Sequence, residues 1–146
     1  PKMGMHLSVG CPSGKDYEPD PKAFAAAQAD AAKNGTIFEV VHDAAQAVRD
    51  ADVVYTDSWM SYHIAKDKVA ERKKIFGPFQ VTGGLMKQAK PDAIFLNCLP
   101  AMRGMEQTAE VIDGPQSVVF DEAENRMHMH KALMLILLRE AGTISG

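Results

Sequence analysis

The stretch DAIFLNCLPAMRG, Asp92 to Gly104, decides how this chain is read. Ile94, Phe95 and Leu96 form a continuous apolar run rather than an alternating one. Such a strand is buried on both faces, as in a parallel sheet covered by helices on each side. Pro100 has no backbone N–H and keeps Leu99 out of the helical region. The predicted strand, Asp92 to Cys98, therefore stops on Asn97, Cys98, Leu99 and Pro100. In open parallel sheets, ligands bind beyond the carboxyl ends of the strands. An amide, a thiol and two unpaired carbonyls at such an end are chemistry waiting for a ligand.

The flanking sequence repeats the pattern. MHLSVGCP (Met5 to Pro12) reads as a strand running into a turn-rich loop. A helix follows, with Asp20 as its cap, Pro21 in its first turn, an Ala-rich body and Gly35 as its stop. TIFEVV (Thr36 to Val41) and DVVYTD (Asp52 to Asp57) read as strands on either side of a capped helix, Asp43 to Ala51. His63 to Phe76 reads as a charged helix, with Ile64, Val69 and Phe76 on its inner side and Gly77-Pro78 as its end. Gly83 and Gly84 weaken the start of the next helix. GMEQTAEVID reads as a loop with a short helix, QSVVF (Gln116 to Phe120) as a fifth strand, and the segment from Asp121 as the last and longest helix. Alternating strands and helices with short connections predict an α/β fold. The expected form is a three-layer α/β/α arrangement around a mostly parallel, Rossmann-like sheet of about five strands.

Composition narrows the function. The chain has 146 residues, 46% hydrophobic and 24% charged, which suits one ordinary globular domain with a real core. A formal net charge of −3 argues against nucleic acid as partner. The longest apolar run, Ala132 to Leu138, is far shorter than the roughly 20 residues that span a bilayer. The two cysteines, Cys11 and Cys98, have neither metal-like nor disulfide-like spacing. The opening residues do not look like a signal peptide, so a cytoplasmic location is expected. His128 and His130 lie two apart on a helix and face different sides, which argues against a metal site.

Three polar clusters fall at predicted strand ends: Asp57, Ser58, Trp59, Ser61 and His63; Asn97 to Gly104; and Asp121, Glu122, Glu124 and Arg126. Each has a plainer explanation. Asp57 or Ser61 serves as a helix cap. The carboxylates near Asp121 suit a helix dipole, and Arg126 pairs with one of them on the surface. Cys98 is a small core residue, and Pro100 merely ends a strand. The residues alone lead to an α/β domain that binds a small ligand or acts on one. Asp57 is placed to hold an ammonium group, and the carbonyls of Cys98 and Leu99 to accept N–H donors.

Taken together, DVVYTDSWMS, FLNCLPAMRGMEQTAEVIDGPQSVVFDEAENR and GMHLSVGCPSGKDYEPD resemble the ornithine carbamoyltransferases, in register across nearly the whole chain. The resemblance covers the C-terminal, amino-acid-binding half of such an enzyme. It implies a missing N-terminal carbamoyl-phosphate domain and a partial chain that is inactive alone, which accounts for the abrupt start at Pro1. It implies transfer of a carbamoyl group from carbamoyl phosphate to ornithine, giving citrulline and phosphate, in arginine biosynthesis. It assigns Asp57 to the substrate α-amino group, with Ser61 and Tyr62 in the same substrate loop. Cys98 lies beside the reacting amine, the carbonyls of Cys98 and Leu99 accept its N–H groups and those of the carbamoyl group, and Arg126 reaches carbamoyl phosphate. No metal or organic cofactor is implied, and the full-length enzyme is expected to be a homotrimer. Two departures stand out: Asn97 replaces a histidine, and Ser61-Tyr62-His63 replaces serine-methionine-glycine. Because of the second, putrescine or another related amine is the rival acceptor, and a non-catalytic ligand-binding module is the rival of a different class. The last helix spreads Met127, Met129, Leu133, Leu135, Ile136, Leu137 and Leu138 over more than one stripe. In the family it packs on the N-terminal half, so in this chain an exposed apolar patch is expected.

Overall fold

The computed structural model describes residues 1–60 and 64–144. Four short strands alternate with helices: β1 (Leu7–Gly10), α1 (Pro21–Asn34), β2 (Phe38–Val41), α2 (Ala44–Val48) and β3 (Val53–Thr56). A 3₁₀ turn (Lys66–Lys68) leads into α3 (Val69–Phe76), and a second one (Gly77–Phe79) follows it. The chain continues through α4 (Gly83–Met86), β4 (Ile94–Asn97), α5 (Ala109–Ile112) and α6 (Val119–Glu140).

Local chemistry explains these boundaries. Asp20 Oδ1 accepts from the N–H groups of Lys22 and Ala23, and Gly35 closes α1 in the left-handed region at φ 64°. Asp43 caps α2 through the N–H of Gln46, and Thr82 caps α4 through that of Leu85. A Cβ at Gly83 would meet Glu110 Oε1 at 2.7 Å, so that carboxylate, which accepts from the Gly83 N–H, would have to swing aside.

Both sheets are parallel, as the continuous apolar strands predict. β1 pairs with β2 from Leu7↔Phe38 to Gly10↔Val41, and β3 with β4 from Val53↔Ile94 to Thr56↔Asn97. The α/β class holds, but the strand count is lower than expected and the described strands form two separate pairs. The expected fifth strand is reduced to one bridge, Phe95↔Ser117. Phe95 donates to the Gln116 carbonyl and accepts from the Val118 N–H, and there the ladder ends. The cause is local. Val118 gives its carbonyl to the Glu122 N–H, so α6 takes the backbone a longer strand would need. The helix thus starts at Val119, ahead of the expected Asp121.

The core lies beneath β3 and β4, where Val54, Val81, Met86, Ala93, Phe95, Val111, Ile112 and Val119 pack together. Phe95 and Val119 have no exposed surface. Val69, expected on an inner face, is exposed instead. Phe76 packs inward by stacking on Trp59 at 5.8 Å between ring centroids.

The expected apolar patch is present on α6. Phe120, Met127, Met129, Leu133, Met134, Leu135, Ile136 and Leu137 are all exposed. Among the described residues, no helix is long and apolar enough to cross a membrane.

Two outcomes follow from this packing. Phe95→Ala should cost about 3–5 kcal/mol of stability, read from the urea midpoint at unchanged slope. A cost below about 1 kcal/mol would mean that Phe95 is not central to the core. The patch on α6 should make the isolated chain self-associate as concentration rises. Sedimentation as a single monomer at high concentration would contradict this.

Candidate functional site

The β3–β4 register builds the site. Thr56 pairs with Asn97, so the next residues, Asp57 and Cys98, leave the sheet side by side. The Cys98 thiol donates to Asp57 Oδ1 at 3.2 Å, and Asp57 Oδ1 also accepts from the Ser58 N–H at 2.6 Å. Arg126, two turns into α6, reaches back to the same edge, where its Nη1 donates to the Cys98 carbonyl at 3.3 Å. Asp57, Cys98 and Arg126, which sequence reading nominated from three separate segments, converge at one rim. Among the described residues Arg126 makes no ion pair with a carboxylate, and Glu124 Oε1 lies 3.2 Å from His128 Nε2 instead.

The loop after β3 is held from several directions. Trp59 is buried, and its carbonyl accepts from Arg72 Nε at 2.6 Å. Ser58 Oγ donates to the Met60 carbonyl and accepts from the Met60 N–H. A cleft of about 330 Å³ opens beside this loop, between β1 and β3, lined in part by Gly10, Tyr55, Asp57, Trp59, Arg72 and Phe79. Ser61 and Tyr62, the other expected substrate contacts, and His63 lie outside the described residues.

The loop after β4 is shaped by a buried amide. Asn97 Oδ1 accepts from the Leu99 N–H at 2.9 Å, and its Nδ2 donates to Gln107 Oε1 at 3.2 Å. Leu99 sits at φ 49°, in the left-handed region that a branched side chain rarely occupies. The Asn97 hydrogen bond supports that backbone. Asparagine serves here because it combines a donor and an acceptor.

Glu106 and Gln107 are the residues that sequence reading passed over. Both are fully buried polar side chains. Glu106 accepts from the N–H groups of Trp59 and Met102, and Gln107 Nε2 donates to the Met102 carbonyl. In the sequence they are an ordinary polar pair inside a loop, with no periodicity to mark them as buried.

The electrostatics keep the thiol protonated. Partial burial first, then the hydrogen bond to Asp57, push the Cys98 thiol above its usual range. The nearby charges of Asp57 and Glu122 act in the same direction. The phenol of half-exposed Tyr55 is also pushed up, by desolvation first and then by its contact with Cys98. Among the described residues, no group of three or more His, Cys, Asp or Glu is arranged to hold a metal ion.

Comparison with known proteins gives this geometry a family. The family described as aspartate/ornithine carbamoyltransferase, Asp/Orn binding domain, matches residues 1–137. The chain belongs to that family. It is 53% identical over 137 residues to the ornithine carbamoyltransferase of Thermococcus kodakarensis, covering 94% of this chain and 42% of the relative. The solved ornithine carbamoyltransferase of Pyrococcus furiosus superimposes with a TM-score of 0.84 at 50% identity, covering 91% of this chain and 42% of that one. The anabolic enzyme of Campylobacter jejuni gives a TM-score of 0.85 at 33% identity, covering 94% of this chain and 45% of the other. This carbamoyltransferase-family chain thus spans less than half the length of the relatives it matches.

The contact between thiol and carboxylate can be tested directly. The thiolate is the nucleophile in alkylation, so a raised pKa slows it. Cys98 should react with iodoacetamide at pH 8 more slowly than a free cysteine, and Asp57→Asn should speed it by removing the charge that favours the protonated thiol. Peptide mass spectrometry separates Cys98 from Cys11. A slower reaction in the Asp57→Asn chain would contradict this account.

Proposed function

We propose that this chain is the amino-acid-binding part of an ornithine carbamoyltransferase, which transfers the carbamoyl group of carbamoyl phosphate to ornithine. The observation that carries the reading is the convergence of Asp57, Cys98 and Arg126 at the carboxyl edge of β3 and β4. Family membership across residues 1–137 supports it. The relatives' greater length supports a carbamoyl-phosphate-binding portion outside this chain, against which the apolar face of α6 packs. The intact protein is proposed to work as a homotrimer.

In this reading the Asp57 carboxylate holds the α-ammonium of ornithine, with Ser61 and Tyr62 contributing to the same end. The δ-amine enters neutral. Its lone pair attacks the carbamoyl carbon, a C–N bond forms, and the C–O bond to phosphate breaks with its electron pair leaving on phosphate. The nitrogen then loses one proton, for which the departing phosphate is the nearest base. The carbonyls of Cys98 and Leu99 accept hydrogen bonds from the amine and the carbamoyl NH₂, aligning nucleophile with carbon. In this reading Arg126, whose Nη1 donates to the Cys98 carbonyl, neutralises charge growing on the phosphate oxygens. Catalysis of this kind rests on positioning and fixed dipoles, without a covalent enzyme intermediate.

Restoring the absent part tests the proposal. The chain is fused to the unmatched portion of the Thermococcus kodakarensis relative and supplied with ornithine and carbamoyl phosphate. Citrulline is expected, and putrescine should be the poorer acceptor by kcat/KM. Asp57→Ala should raise the KM for ornithine about tenfold or more, as loss of a charged hydrogen bond of about 1.5–3 kcal/mol requires. An unchanged KM would refute the role of Asp57, and no product from ornithine or any diamine would refute the reaction.

A further inference from the structure

We propose that Glu106 is a positioning residue that clamps the two substrate loops to each other, an inference that rests on the carbamoyl-transfer reading. Its side chain has no exposed surface. Oε1 accepts from the Trp59 N–H at 3.2 Å, and Oε2 accepts from the Met102 N–H at 3.2 Å. Trp59 stands two residues beyond Asp57, and Met102 three beyond Leu99. One carboxylate therefore spans the loop that presents the ammonium-binding carboxylate and the loop that presents the carbonyl acceptors.

The clamp is itself anchored. The Glu106 carbonyl accepts from the Val81 N–H at 2.9 Å, which fixes its backbone against the segment before α4. Gln107 grips the Met102 carbonyl from the other side, so both backbone groups of Met102 are held. The β3–β4 ladder ends at Thr56 and Asn97 and sets no distance beyond them. Past that point the spacing of the two loops depends on contacts such as these.

The chemistry calls for a carboxylate. Both partners are N–H donors, and an ionised carboxylate is purely an acceptor with two oxygens to offer. A glutamine of the same size offers one oxygen and turns an NH₂ towards the second N–H. That leaves one buried donor without an acceptor and releases one loop. Glu106 touches no reacting atom in this scheme and acts through the groups it holds in place.

The test combines structure and activity. In the chain itself, Glu106→Gln should speed amide hydrogen exchange at Trp59 or Met102 at least tenfold, while Phe95 and Leu96 in β4 keep their protection. In the fusion with the Thermococcus kodakarensis portion, the same variant should lose about 10–100-fold in kcat/KM for ornithine, the scale of a displaced substrate-positioning group. Glu106→Asp keeps two acceptors on a shorter stem and should recover part of both losses. Unchanged exchange at both amides together with unchanged kcat/KM would overturn the proposal. Loss of protection spreading through Phe95 and Leu96 would also overturn it, because that marks a folding role. If the unaltered fusion makes no citrulline, the transfer reading fails, and the amide measurement still judges the clamp.

Discussion

The parallel ladder between β3 and β4 is the constraint on which the rest depends. Its register sets Thr56 against Asn97, and paired strands lie about 4.8 Å apart. Asp57 and Cys98 therefore emerge as neighbours before any side chain chooses a partner. Their contact is a consequence of register. A slip of one residue would turn every side chain of β4 over and remove Phe95 from the core. The buried ring of Phe95 thus holds a register whose chemical result appears a few residues further on.

Beyond the ladder, a different kind of interaction takes over. Asn97, Glu106 and Gln107 form a buried polar layer beneath the loops, bonded to the backbone of Trp59, Leu99 and Met102. Burying such groups is costly unless each finds its partner. Most of the layer's bonds are to backbone groups, so it specifies loop shape more than it adds stability. That suits the proposed transfer reaction, which depends on placement. The left-handed Leu99 fits this view, because its N–H is tied to the side chain of Asn97.

Helix α6 also carries an exposed apolar face, which begins beside Arg126. The exposed apolar side chains of α6 are more than a lone surface helix needs, and the chain covers 42% of the Thermococcus kodakarensis relative. The helix that carries Arg126 to the site is also the one with the unburied face. A single element thus carries both the side chain that reaches the Cys98 carbonyl and the exposed apolar face.

Much of this was legible in the residues. Continuous apolar strands, Asp20 and Gly35 at the ends of α1, and polar clusters after DVVYT and IFLN depend on local chemistry, which sequence records directly. The residues alone offered Asp57 for an ammonium group, whereas the roles given to Cys98 and Arg126 rest on the family resemblance. The fifth strand was misjudged because SVV suits a strand, whereas competition for the Val118 carbonyl decides in favour of the helix. Glu106 and Gln107 were passed over because nothing local distinguishes a buried glutamate from a solvated one. Their role exists only because Trp59, 47 positions away, is folded against Glu106. Sequence by itself determined four of the five expected strands and the caps of α1 and α2, since those choices depend on near neighbours. Only the tertiary structure decided which donors meet the buried carboxylate, since that depends on groups far apart in the chain being brought together and cut off from water.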